Sequence, residues 1–257
     1  MIIDGHTHIH PRPNGFGSKY DASVASLIQA IRQSPVDKAV VLPIAPEISN
    51  EFVVAACREY PDELIGFASV DPRLGKKAVE KLEEEVTSFG LKGLKLHPRR
   101  QGFGYRHFLN ILPLIQQAAK LNIPVLIDTF LYGQDFLKGN VLELVNDLAI
   151  AVPKAMIIMA HMGGHRVFDA FMIAKANKNI YLDISYTLLY YRHSSIEKDI
   201  GFIIKKMGAE RVVYGSDHPE MPLCPTFEES IRILEQFKLT ARELDGILGK
   251  NIADLVL

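Results

Sequence analysis

The 257-residue chain is 48% hydrophobic and carries a formal net charge of −1, enough apolar content for one large domain and no electrostatic footprint for nucleic acid or an anionic membrane. No apolar run approaches a transmembrane span, and the opening residues leave no room for a signal peptide. The two cysteines, Cys57 and Cys224, lie in distant segments, so a cytoplasmic protein with reduced thiols is expected.

Short β-branched runs alternate with longer amphipathic ones along the chain. Strands are predicted at Ile2–Asp4, Lys38–Leu42, Leu64–Val70, Gly93–Leu96, Val125–Asp128, Met156–Ala160, Ile180–Ile184 and Arg211–Tyr214. Helical patterns fall between them at Asp21–Arg32, Glu51–Glu59, Lys76–Phe89, Phe108–Leu121, Val141–Ala149, Val167–Ala176, Ile196–Met207 and Phe227–Phe237, and "TARELDGILGKNIADLVL" closes the chain as a helical tail. Eight strand-then-helix units predict an α/β fold, a single (β/α)₈ TIM barrel over residues 1–257. A doubly wound open sheet would need a Gly-rich first turn, and "DGHTHIH" is nothing like one.

In such a barrel the chemistry sits at the C-terminal ends of the strands. His6 and His8 follow the first strand and, two apart, project to the same side. The fourth strand ends in His97, the fifth in Asp128, the sixth in His161, and the eighth in Asp217 and His218. Five of the nine histidines therefore stand at strand ends, with His10 and His165 just beyond. Any one of them alone reads as a hydrogen-bonded strand-end residue, and Asp217 alone as a cap. One metal site explains the whole ring of placements together.

The segments "IIDGHTHIH", "GLKGLKLHP", "AHMGG", "YGSDHP" and "ILGKNIADLVL" give the chain, over nearly its whole length, a sequence that resembles the amidohydrolase superfamily, in the branch of aminocarboxymuconate semialdehyde decarboxylase. The resemblance implies one divalent ion, usually zinc with manganese as the alternative, held by His6, His8 and Asp217. It assigns to His161 the activation of water or polarisation of substrate, and to Asp217 the acceptance of a proton. The family normally adds a metal-binding histidine at the end of the fifth strand, where this chain has Asp128. Either Asp128 ligates the ion directly, or His97 supplies the nitrogen while Asp128 orients it, or the site holds no metal, as in some lactonases of the branch. Binuclear relatives carry a carboxylated lysine where His97 stands; Lys95, two residues earlier, reads as a barrel-interior lysine paired with a carboxylate such as Asp128.

Arg99, Arg100 and Tyr105 in "HPRRQGFGYRH", with Arg12, are candidates for a substrate carboxylate, and Tyr132, Tyr190 and Tyr191 for an apolar roof. Each also reads as an ordinary loop residue, Met156 and Met159 read as core, and nothing marks Cys224 as a nucleophile. The expected activity is metal-dependent hydrolysis of a small carbonyl, ester, lactone or amide substrate. A metal-activated hydroxide attacks, Asp217 relays the proton and His161 stabilises the oxyanion. Decarboxylation of a small unsaturated or aromatic acid is the close rival, followed by a metal-free lactonase and a non-catalytic binding barrel. The expected partner is a small molecule, with a homo-oligomer compatible and neither nucleic acid nor membrane involved.

Overall fold

Nine short strands lie parallel in the computed structural model, which describes residues 1–133 and 140–257. They are β1 Ile3–Thr7, β2 Lys38–Val41, β3 Leu64–Gly66, β4 Ala68–Ser69, β5 Leu94–Leu96, β6 Val125–Asp128, β7 Ile157–Ala160, β8 Ile180–Asp183 and β9 Val212–Val213. One sheet runs β1-β2-β3 and the other β4-β5-β6-β7-β8-β9. The third predicted strand is thus divided at Phe67, where the chain changes neighbour. Phe67 N still donates to Val41 O beside β2, and Ala68 N already donates to Gly93 O on the β5 side.

The ring closes between β1 and the segment after β9. Gly5 N donates to Tyr214 O (2.9 Å), Asp217 N to His6 O (2.8 Å) and His8 N to His218 O (2.6 Å). With β3 and β4 as one strand position, this is the eight-membered parallel barrel expected from the sequence. Helices cover its outside, among them Val24–Arg32, Phe108–Lys120, Val141–Ala151 and Ser195–Met207. The first helix starts at Val24, later than the sequence pattern suggests, because the Ser23 side chain accepts from Ser26 N as its cap.

Alternation along the strands sorts the core into two layers. Val125, Ile127, Ile157 and Met159 join the strand–helix layer, whereas Leu126, Ile158, Val40 and Val213 face inward. The C-terminal tail sends Ile252, Leu255 and Val256 into that inner cluster against Ile3 and Phe67, stoppering the end of the barrel opposite the histidines. β1 has a further irregularity. Asp4 pairs with Ala39 but Thr7 with Val41, so β1 spends three steps where β2 spends two. An extra residue re-aims the side chains beyond it. Ile3 and His6, three apart, can therefore both face the interior. Among the described residues no helix is long and apolar enough to cross a membrane.

Candidate active site

Asp4 ties the two segments that carry the site. Its Oδ1 accepts from His6 N (3.1 Å) and Ser216 N (2.9 Å), fixing the His6 and Asp217 backbones together although they are distant in sequence. Burial raises its carboxyl to about 7. Asp217 and His161 both have backbones in the left-handed region, at φ 64° and 62°. That conformation is costly for a residue with a Cβ and typical of functional sites. After His161, the two glycines of "HMGG" take φ 76° and 64°, which glycine adopts without strain, and Gly163 N donates to Thr129 Oγ1.

His6, His8 and Asp217 converge. The His6 and His8 Nε2 atoms lie 3.2 Å apart, and Asp217 Oδ1 lies 3.4 Å from the first and 3.6 Å from the second. The opposite edges of the rings determine the tautomers. His6 Nδ1 meets Asp183 Oδ2 at 2.6 Å, and His8 Nδ1 meets Leu42 O at 2.6 Å. A carbonyl or carboxylate oxygen only accepts, so each Nδ1 carries the hydrogen and each Nε2 a lone pair. Burial, then the charge of Lys95, pushes both imidazoles well below their usual range, which keeps them neutral. Two lone pairs and a carboxylate at these distances repel one another, and a cation among them removes the repulsion. The donor set fits a divalent ion. His161 belongs to the same neighbourhood: ligand atoms of His6, His161 and Asp217 all lie within 4.8 Å of one another, a group that could hold a metal ion.

His161 differs from its neighbours. Its Nδ1 donates to Ser185 O (3.1 Å), and its Nε2 lies 3.2 Å from Asp128 Oδ2. Burial opposes its charge, but the hydrogen bond to Asp128 and the carboxylates of Asp217 and Asp183 outweigh it and raise His161 to about 9. Burial likewise works against the Asp128 carboxylate, yet His97 and His161 hold it well below the usual range. Asp128 Oδ2 is also 3.7 Å from His97 Nε2. His97 is pushed down to about 3 by burial, and its Nδ1 has no hydrogen-bond partner among the described residues. Burial raises Asp217 to about 7.

These groups open into one cavity of about 300 Å³, lined by His8, His97, Asp128, His161 and Asp217 together with Arg99, Arg100, Phe16, Phe130, Tyr132, Tyr186 and Glu220. The two arginines part company here. Arg100 Nη1 is committed to Glu47 Oε2 at 2.9 Å, with its guanidinium over the Phe16 ring. Arg99 lies over the Tyr132 ring and forms no carboxylate pair within 4.0 Å among the described residues. Tyr190 and Tyr191 pack with Phe130 and Tyr186 in an aromatic wall beside His161. Tyr105 turns away, its hydroxyl donating to Asp147, and it borders a neighbouring cavity. Arg12 is outside the lining, and Cys224 Sγ faces Ala30 O. Lys95 is interior as expected, but its partner is His6 Nε2 at 3.3 Å rather than a carboxylate. Side-chain parity indicates the interior without saying which neighbour the amine reaches.

Asp183 and Ser185 carry no motif that marks them in the sequence. Ser185 donates through both N and Oγ to Asp183, which in turn accepts from His6. The available signal was a carboxylate interrupting the apolar run "IYLDIS".

A closed parallel barrel that gathers imidazoles and carboxylates at the C-terminal ends of its strands has the architecture of the TIM-barrel enzymes. The amidohydrolase family's sequence profile matches residues 3–256, and the chain belongs to that family. No curated protein matches the chain. Among solved structures, it is similar to an uncharacterized TIM-barrel protein from Bordetella bronchiseptica, with TM-score 0.80, 17% identity and coverage of 99% of this chain and 97% of that one. A probable 2-pyrone-4,6-dicarboxylic acid hydrolase from Acinetobacter baumannii, solved with citric acid bound, aligns with TM-score 0.72 at 18% identity over 99% and 98% of the two chains. A 5-carboxyvanillate decarboxylase from Novosphingobium aromaticivorans, in complex with manganese and a nitrobenzoic acid, aligns with TM-score 0.75 at 14% identity over 99% and 95%.

Proposed function

We propose that this protein, one barrel domain over residues 1–257, is a metal-dependent hydrolase of a small carbonyl, ester, lactone or amide substrate. His6, His8 and Asp217 would hold one divalent ion, zinc or manganese. The observation that carries this reading is the pair of Nε2 lone pairs facing each other and Asp217 Oδ1 across 3.2–3.6 Å. When bound, the ion supplies a Lewis acid that polarises a carbonyl and lowers the pKa of water to about 7.

The chain's own residues do the rest. Asp217 turns Oδ1 toward His6 and His8, leaving Oδ2 to take the proton of the attacking water and return it to the leaving group. His161 we read as a proton-bearing neighbour rather than a ligand, because Nδ1 donates to Ser185 O and Nε2 is turned to Asp128. With both N–H groups so engaged, it is the positive charge of the imidazolium that stabilises negative charge developing on the carbonyl oxygen. Asp128, engaged with His161 and His97, keeps that imidazole charged. Phe130, Tyr132 and Tyr186 exclude water from one side.

Decarboxylation of a small carboxylic acid is the second reading, favoured by the Arg99 guanidinium in the cavity wall, which pairs with no carboxylate among the described residues. The relatives solved with citric acid and with a nitrobenzoic acid support a small, acidic substrate in either case. Metal analysis of the purified protein, expected to give about one ion per chain, combined with a panel of lactones, esters, amides and carboxylic acids, tests both. Turnover of a lactone by ion-free protein would favour the metal-free alternative.

A further inference from the structure

Lys95 reaches the histidine cluster from below, and no step of the proposed chemistry uses it. It stands in β5 between Leu94 and Leu96, both in the strand–helix layer, so its side chain runs into the barrel. It is fully buried, and its Nζ stops 3.3 Å from His6 Nε2. The hydrogen on His6 Nδ1 belongs to the contact with Asp183, so Nε2 accepts and Lys95 donates. An ammonium and an amine both carry that N–H. The hydrogen bond therefore does not depend on the charge of Lys95.

The lone pair that Lys95 occupies is the one the ion needs. Resting on the metal reading of the site, we propose that Lys95 is a built-in competitor for the metal: its N–H covers His6 Nε2 while no ion is bound, and an incoming divalent ion must take that lone pair from it. Lys95 thereby lowers the affinity of the site for every divalent ion. In exchange, it keeps the ion-free cluster ordered by giving His6 a partner.

The test uses the full chain, stripped with a chelator, as wild type, Lys95→Met and Lys95→Gln. Each is titrated with zinc chloride and manganese chloride by calorimetry and melted without ion. Lys95→Met should bind zinc about tenfold more tightly than wild type, the scale of one lost hydrogen bond. It should also melt lower when ion-free. Lys95→Gln, with a shorter neutral donor, should fall between the two. Equal or weaker zinc binding by both variants, beside a wild type that binds, overturns the proposal and leaves the metal reading standing. Zinc binding by Lys95→Met with none by wild type upholds the competition and overturns the metal reading for the native chain. Uptake by none of the three overturns both. Should Lys95→Met fail to fold, Lys95→Gln against wild type separates the same outcomes.

Discussion

Two histidines with ring centroids 4.7 Å apart, His6 and His161, are shifted in opposite directions, His6 toward the neutral imidazole and His161 toward the protonated one. Both are buried, and burial alone would keep both neutral. Lys95 adds a positive neighbour to His6 and drives it further down. His161 has Asp128 against its Nε2 and rises to about 9. A carboxylate stands behind each ring, so its mere presence does not decide the outcome. The hydrogen bond to Asp128 and the nearby carboxylates outweigh burial at His161, whereas at His6 burial prevails and Lys95 adds to it. One half of the site is thereby built to give lone pairs, and the other to keep a proton.

The sharpest way to break this comparison is to remove one ring from each half. His6→Ala takes away a lone pair and should abolish measurable zinc binding in a calorimetric titration. His161→Ala should bind zinc as wild type does and lose about 10²–10⁴-fold in turnover. Equal zinc affinity in the two variants would erase the distinction.

Asp128 and His97 come next. With Asp128 acting on His161, Asp128→Asn should retain the ion and lose about 10–100-fold in activity. Sharp loss of the ion from Asp128→Asn would make that carboxylate a ligand, and loss from His97→Ala would give the place to His97. The same variant has a pH signature in the ion-free protein. Because His161 is raised from 6.5 to about 9, its contribution to folding is full below 6.5 and lost as pH rises through 9. In Asp128→Asn the His161 midpoint, followed by NMR, should move to lower pH. An unchanged midpoint would mean that Asp128 does not hold the proton.

Much of this arrangement was legible in the sequence, and the reason is local. His6 and His8 share the first apolar run, His97, Asp128, His161 and Asp217 each follow their own, and a parallel barrel brings every strand end to one mouth. What depended on contact between distant segments was not legible. Asp183 reaches His6 across 177 positions, and nothing in "IYLDIS" names its partner. The break at Phe67 follows from a change of neighbouring strand, which a hydrophobic pattern does not record.

Asp183 offers a smaller test on the lone-pair half. Its carboxylate fixes the His6 tautomer and is itself held by two bonds from Ser185. Asp183→Asn leaves the shape but lets the amide present either oxygen or nitrogen to Nδ1. Zinc affinity should fall by about 10–100-fold, with the His161 midpoint moved far less than by Asp128→Asn. A larger shift at His161 than loss of zinc would show that Asp183 serves the proton-bearing half instead.

The smallest expected effect concerns the adjacent arginines. In sequence they are equivalent, and the structure separates them through Glu47, which binds Arg100 and leaves Arg99 facing the cavity. A guanidinium already bonded to a carboxylate must surrender that bond to hold another, so its net gain on binding an acidic substrate is small. Among the described residues, Arg99 gives up only its contact with the Tyr132 ring. Arg99→Met should therefore raise KM for carboxylate-bearing substrates about tenfold, the scale of one charge-assisted hydrogen bond, with kcat nearly unchanged. Arg100→Met should change KM much less, because its loss frees Glu47 rather than the substrate. For uncharged esters or lactones neither variant should differ from wild type. Should Arg100→Met give the larger increase in KM, the Glu47 pair must open on binding, and Arg100 rather than Arg99 would be the group that meets the substrate carboxylate.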